Sequence, residues 1–212
     1  MTEVYIARVD ALCDDAVFAA RYAQAPAERR AKIDALRHAA DKRLSLGVWL
    51  LLAAALRKRG IVAPHLAYDE NGKPYLADCP SLHVSLSHSG EAVMCAVSDG
   101  EVGCDIERLG DADISLAARF FHPAEQARLA AAPQEEQRTL FYRIWTAKES
   151  FAKCTGQGIA HGMRDFCTEP SGTVCCGEKH YYIKYVDFDG YAACVCTEAQ
   201  EDIDETCFSV LY

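Results

Sequence analysis

Along this 212-residue chain the spacing of apolar residues changes several times, and each change predicts a new element. From Val4 to Val9 apolar residues alternate with a period of two, which predicts a strand. The Ala- and Arg-rich stretch from Pro26 to Arg59 reads as two helices, the second closed by Gly60. Within it, Leu44 to Leu56 is apolar between Arg43 and Arg57, which marks a buried helix too short to span a bilayer. Asp69-Glu70-Asn71-Gly72-Lys73-Pro74 supplies turn chemistry. Three strands then follow as an expected meander, Leu82 to Leu86, Ala92 to Ser98 and Glu101 to Glu107, separated by Gly90 and Asp99-Gly100.

The second half repeats that order. Pro123-Ala124-Glu125 opens a helix, a longer one runs from about Glu135 to Cys154, and Gly156 and Gly158 terminate it. Strands are expected at Thr173 to Cys176, Tyr181 to Val186, Tyr191 to Cys196 and Cys207 to Leu211. Each half is helix-rich first and antiparallel-sheet later, so the fold class is α+β with two halves, 1–103 and 104–212. Asp105 and Glu107 fall near their junction, a common place for ligand sites.

Composition narrows this picture. Half of the residues are hydrophobic, enough for one substantial core or two closely packed small ones. The formal charge of -9 argues against a general nucleic-acid binder. Its distribution is uneven: Arg21 to Gly60 holds ten Lys or Arg against three acids, whereas Asp165 onward holds ten acids against Lys179 and Lys184. Eleven cysteines are an odd count, and the N-terminus lacks a secretory pattern, which together point to a reduced cytoplasmic protein with no membrane partner. Cys175, Cys176, His180, Cys194 and Cys196 fit no common zinc spacing and read as small buried side chains.

Candidate chemistry lies in two short stretches. Val102-Gly103-Cys104-Asp105-Ile106-Glu107 places two carboxylates at i and i+2, on one face of a strand. In Trp145-Thr146-Ala147-Lys148-Glu149-Ser150-Phe151-Ala152-Lys153, residues Trp145, Glu149 and Lys153 recur every four positions and share a helix face. Three carboxylates and an ammonium together read as a magnesium-phosphate site, because Mg2+ prefers a few carboxylate oxygens completed by water and substrate phosphate.

That pair of stretches resembles the signature of the 4'-phosphopantetheinyl transferase superfamily, in particular its surfactin-synthetase-activator type. Gly72-Lys73-Pro74, Ser85-Leu86-Ser87-His88-Ser89-Gly90, Phe120-Phe121-His122-Pro123-Ala124-Glu125 and Thr155-Gly156-Gln157-Gly158 fall in the order and spacing of that family. The resemblance implies a monomer of two similar α+β halves about a pseudo-twofold axis, with coenzyme A and Mg2+ in the cleft between them. It implies transfer of 4'-phosphopantetheine from coenzyme A to a serine of an acyl or peptidyl carrier protein, releasing 3',5'-ADP.

Residue by residue, the resemblance makes Asp105, Glu107 and Glu149 the metal ligands. Glu149 also stands as the base, with Glu125 competing for that role, and Lys153 serves the leaving oxygen. Lys73 and Pro74 run along the adenine, Ser87 and His88 contact phosphate, and Lys148 is a second coenzyme A contact. Arg43 stands where the family carries an arginine for the 3'-phosphate. Two assisting upstream lysines have no counterpart in register, and a one-residue gap brings Arg30 or Arg29 there. A noncatalytic module that binds coenzyme A or a carrier protein is the alternative in another class.

Overall fold

The computed structural model describes residues 1–62, 64–156, 162–176 and 179–208. Its helices are Asp15–Gln24 (α1), Ala27–Asp34 (α2), Ala39–Lys58 (α3), Ala117–Phe120 (α4), Pro123–Ala131 (α5) and Gln134–Thr155 (α6). Its strands are Thr2–Arg8 (β1), Leu66–Tyr68 (β2), Pro74–Leu76 (β3), His83–Ser89 (β4), Ala92–Ser98 (β5), Val102–Arg108 (β6), Thr173–Cys176 (β7), Lys179–Phe188 (β8), Tyr191–Thr197 (β9) and Ile203–Phe208 (β10). The fold is α+β, as the sequence predicts.

The strands form two sheets, ordered β10-β1-β5-β4-β3-β2 and β6-β9-β8-β7. The second is antiparallel throughout, whereas in the first β10 lies parallel to β1. Alternation along β1 sends Tyr5 and Ala7 into a core shared with α3, through Leu51, Leu52 and Ala55. Val4 and Ile6 face the other way and pack with Met94 and Ala96 against Val102, Cys104, Ile106 and Val195 of the second sheet. The far face of that sheet, Cys194 and Cys196, receives Ala147 and Phe151 of α6. The layers therefore run helices, sheet, sheet, helix, and both sheets bury both faces.

Four points of the sequence reading change here. Helix α1 was absent from the sequence reading: Asp14 starts it, its carboxylate accepting the N–H groups of Ala16 and Val17 at 2.9 and 3.0 Å. The expected meander ends at β5, because after Asp99-Gly100 the chain leaves the first sheet and β6 pairs with β9. The boundary expected between residues 103 and 104 falls inside β6, and β10 returns from the end of the chain to extend the first sheet. Among the described residues the last strand spans Ile203–Phe208, which begins four residues before the expected Cys207 and overlaps that span at Cys207 and Phe208. Gly158 and residues 209–211 lie outside the described residues.

Candidate functional site

The site is built where β6 is held between α6 and β4. Gly103 allows α6 to lie directly on the strand, since a Cβ there would run into the Ser150 carbonyl and the Cys154 amide. On the opposite edge, Ser85, Ser87 and Ser89 project from one face of β4. Their hydroxyls accept the N–H groups of Cys104 at 2.9 Å, Ile106 at 3.4 Å and Arg108 at 3.1 Å. Hydroxyl groups thus satisfy an edge that would otherwise offer unpaired amides.

The same hydroxyls orient the carboxylates. Ser87 Oγ donates to Asp105 Oδ1 at 2.7 Å, and Ser89 Oγ donates to Glu107 Oε2 at 2.6 Å. From α6, Lys153 Nζ donates to Asp105 Oδ1 at 2.7 Å, and to Ser87 Oγ and the Cys104 carbonyl at 3.1 Å each. Asp105, Lys153 and Ser87 are therefore joined directly, while Glu107, on the same strand face two residues on, is held by Ser89. Glu149, one turn before Lys153 and buried, feels the charges of Asp105, Lys153 and Glu107.

Negative charge is in excess here, and the titration behaviour reflects it. Burial, then the Asp105 charge, pushes Glu149 up to about 7. Burial also raises Glu107, against the opposing Ser89 hydrogen bond. Burial pulls Lys153 down, but Asp105 and its neighbours outweigh that and hold the ammonium above its ordinary range. Asp105 Oδ2 is buried with no hydrogen-bond partner among the described residues. An orphaned carboxylate oxygen beside two further carboxylates and one ammonium fits, in the kind of its donors, a small hard cation such as Mg2+. Among the described residues, no three His, Cys, Asp or Glu side chains stand already converged as a ligand cage.

A cavity of about 330 Å³ opens onto Glu149 and Lys153, bounded by Lys73, Pro74, Ser85 and Leu86. Lys73 and Pro74 line it from the β2–β3 turn, and the Lys73 ammonium points to Glu101 and the Cys154 carbonyl. His88 sits at the end of β4, where loss of solvation and then the Lys153 charge hold its imidazole below the usual value. Arg43 borders a second cavity of about 250 Å³ together with Arg108 and Gly90.

Three sequence candidates stand elsewhere. Glu125 and Lys148 are fully buried and paired with each other at 2.9 Å. Glu125 accepts in addition from the amides of His122 and Thr168 and from the Thr168 hydroxyl, while Lys148 donates to the Met163 and Phe166 carbonyls. With every position occupied, this pair joins α5, α6 and the 163–168 segment, in place of the base and coenzyme A contact the resemblance implies. Arg30 donates to the Ala25 carbonyl at 2.9 Å and to that of Ala23 at 3.4 Å, capping α1. Ser85 and Ser89 were missed as site residues. Their signal was available in the i, i+2, i+4 spacing of three hydroxyls, which puts all three on one strand face.

Comparison with known proteins bears on the same residues. Residues 101–196, which carry all three carboxylates and Lys153, match the family model described as the 4'-phosphopantetheinyl transferase superfamily. The chain is 36% identical over 143 residues to a 4'-phosphopantetheinyl transferase of Bacillus subtilis, covering 66% of this chain and 64% of that protein. It is 45% identical over 96 residues to the transferase psf-1 of Bacillus pumilus, covering 45% and 41%, and 35% identical over 150 residues to the transferase Sfp of Bacillus subtilis strain 168, covering 68% and 66%. The matched part thus spans less than two thirds of these relatives' own lengths. Among solved structures, the holo-[acyl-carrier-protein] synthase of Thermotoga maritima aligns with a TM-score of 0.41 at 17% identity, covering 48% of this chain and 64% of that one.

Proposed function

We propose that this chain, a member of the 4'-phosphopantetheinyl transferase superfamily over residues 101–196, transfers 4'-phosphopantetheine from coenzyme A to a serine hydroxyl of an acyl or peptidyl carrier protein and releases 3',5'-ADP. The observation that carries this reading is the Asp105, Glu107, Glu149 and Lys153 cluster, with its orphaned carboxylate oxygen, of which Glu149 and Lys153 line a cavity. In this reading the protein works as a cytoplasmic monomer, its two halves related by a pseudo-twofold axis, and it activates fatty-acid, polyketide or nonribosomal peptide synthesis.

Asp105, Glu107 and Glu149 would hold Mg2+, which supplies charge neutralisation for the pyrophosphate when bound. The remaining work falls to side chains. The serine oxygen bonds to the β-phosphorus as the bond from that phosphorus to the bridging oxygen breaks, and the pair of electrons leaves with 3',5'-ADP. Lys153, held above its ordinary range, stabilises charge on that oxygen. Glu149, within the same cluster, takes the serine proton directly or through water. Ser87 and His88 contact phosphate, Lys73 and Pro74 flank the adenine, and Arg43 meets the 3'-phosphate through its planar fork of donors. Glu125, sealed against Lys148, is excluded from proton transfer in this account.

The direct test is intact mass of several candidate carriers after incubation with coenzyme A and Mg2+. A gain of one phosphopantetheine that chelator abolishes is expected. Binding of coenzyme A with no mass gain over the panel would instead favour the noncatalytic module.

A further inference from the structure

The turn at Asn71 to Pro74 forms one wall of the cavity beside Glu149 and Lys153, and its own sheet holds it weakly. β2 and β3 are three residues each, and β3 meets β4 through the single pair Tyr75 and His83. A ribbon of that size has little stability of its own. Its tether to the second sheet and α6 is Lys73. The ammonium donates to the Cys154 carbonyl at the end of α6 at 2.7 Å, and to Glu101 Oε2. Helix C-terminal carbonyls favour a cation, but they are partial charges, and Glu101 supplies the full one. Glu101 stands immediately before β6, and its other oxygen lies 3.2 Å from His83 Nδ1 on β4. It therefore touches both sheets as well as the turn.

We infer that Glu101 is a positioning residue for this site: by fixing the Lys73 ammonium on the end of α6, it sets the turn as the wall of the cavity and so governs coenzyme A affinity. Glu101 touches none of Asp105, Glu107, Glu149 or Lys153 through any contact observed here, so its influence passes through Lys73 and falls on binding. The inference rests on the reading of the cleft as a coenzyme A site. The side chains at the ion pair are only partly buried, 19% exposed for Lys73 and 40% for Glu101, so a modest effect is expected.

Four proteins test it: wild type, Glu101→Gln, Lys73→Met and the double variant, each followed by carrier-labelling kinetics and by amide hydrogen exchange over residues 69–76. Glu101→Gln should raise the KM for coenzyme A about three- to fivefold, the range a partly exposed ion pair supports, with kcat within about twofold. It should also speed exchange in the turn. In the Lys73→Met background the same substitution should change neither quantity. Unchanged KM and exchange in Glu101→Gln, a fall in kcat at constant KM, or an equal KM increase with and without Lys73 would each overturn the inference. Exchange reads the tether without turnover. A wild-type protein that labels no carrier would therefore refute the transferase reading, while unchanged exchange in Glu101→Gln would refute the positioning role by itself.

Discussion

Two lysines five residues apart on α6 each meet a carboxylate, and the two pairs have opposite character. Lys148 and Glu125 are wholly buried, each with every hydrogen-bonding position filled by backbone or hydroxyl partners. Lys153 lines a cleft and pairs there with Asp105, beside two further carboxylates and an oxygen that has no partner among the described residues. The first pair is a closed network that holds α5 to α6. The second is over-supplied with negative charge and incomplete without another cation. Residue type and pairing distance are alike in both; satisfaction is what separates a structural ion pair from a reactive one.

Breaking the closed pair should give the largest effect. Lys148→Met leaves Glu125 charged in the interior and should cost about 3–5 kcal/mol in urea unfolding. Neutralising the open cluster should do the reverse: at pH 8 and without divalent metal, Glu149→Gln should stabilise the protein by about 1–3 kcal/mol, and with Mg2+ present the same substitution should end carrier labelling.

The same logic gives a pH dependence. Glu149 rises from 4.5 to about 7 on folding, so the folded state binds its proton more tightly than the unfolded one does. Stability from this group is complete below about pH 4.5 and is lost as pH rises through 7, by about 3 kcal/mol in metal-free protein. Chemical denaturation across pH 4.5 to 8 should show that slope in wild type beyond what Glu149→Gln shows. Smaller changes concern the frame. Gly103→Ala forces α6 off β6 and should cost about 1–3 kcal/mol, with activity falling further than stability because Lys153 moves away from Asp105. Ser89→Ala removes a hydroxyl shared by Glu107 and the Arg108 amide, and should lower stability by about 1 kcal/mol.

Much of this contrast was legible in the sequence, but unevenly. The i, i+2 carboxylates of β6 and the four-residue spacing of Glu149 and Lys153 placed those side chains on the right faces, since strand and helix periods are local properties. Period alone said nothing about which sheet β6 joins. That depends on pairing with β9, some ninety residues later, and on serine hydroxyls that replace a neighbouring strand. Lys148 and Glu125 illustrate the same limit. Nothing in the local pattern of Trp145 to Lys153 reveals that the 163–168 carbonyls close over one lysine and leave its neighbour at the cleft. Arg30 stood as a candidate for the 3'-phosphate only through a one-residue gap in the resemblance, and in the fold it donates to carbonyls at the end of α1.

The central claim, that the open cluster reacts while the closed pair only supports, is tested most directly by intact-mass kinetics of carrier labelling in Glu149→Gln and in the double variant Glu125→Leu/Lys148→Met, each normalised to its folded fraction. Glu149→Gln should be fully folded and should add no phosphopantetheine. The double variant, which replaces both buried charges by apolar groups, should label carrier near the wild-type rate per folded molecule. Labelling that survives in Glu149→Gln, or that vanishes in a folded double variant, would contradict the account.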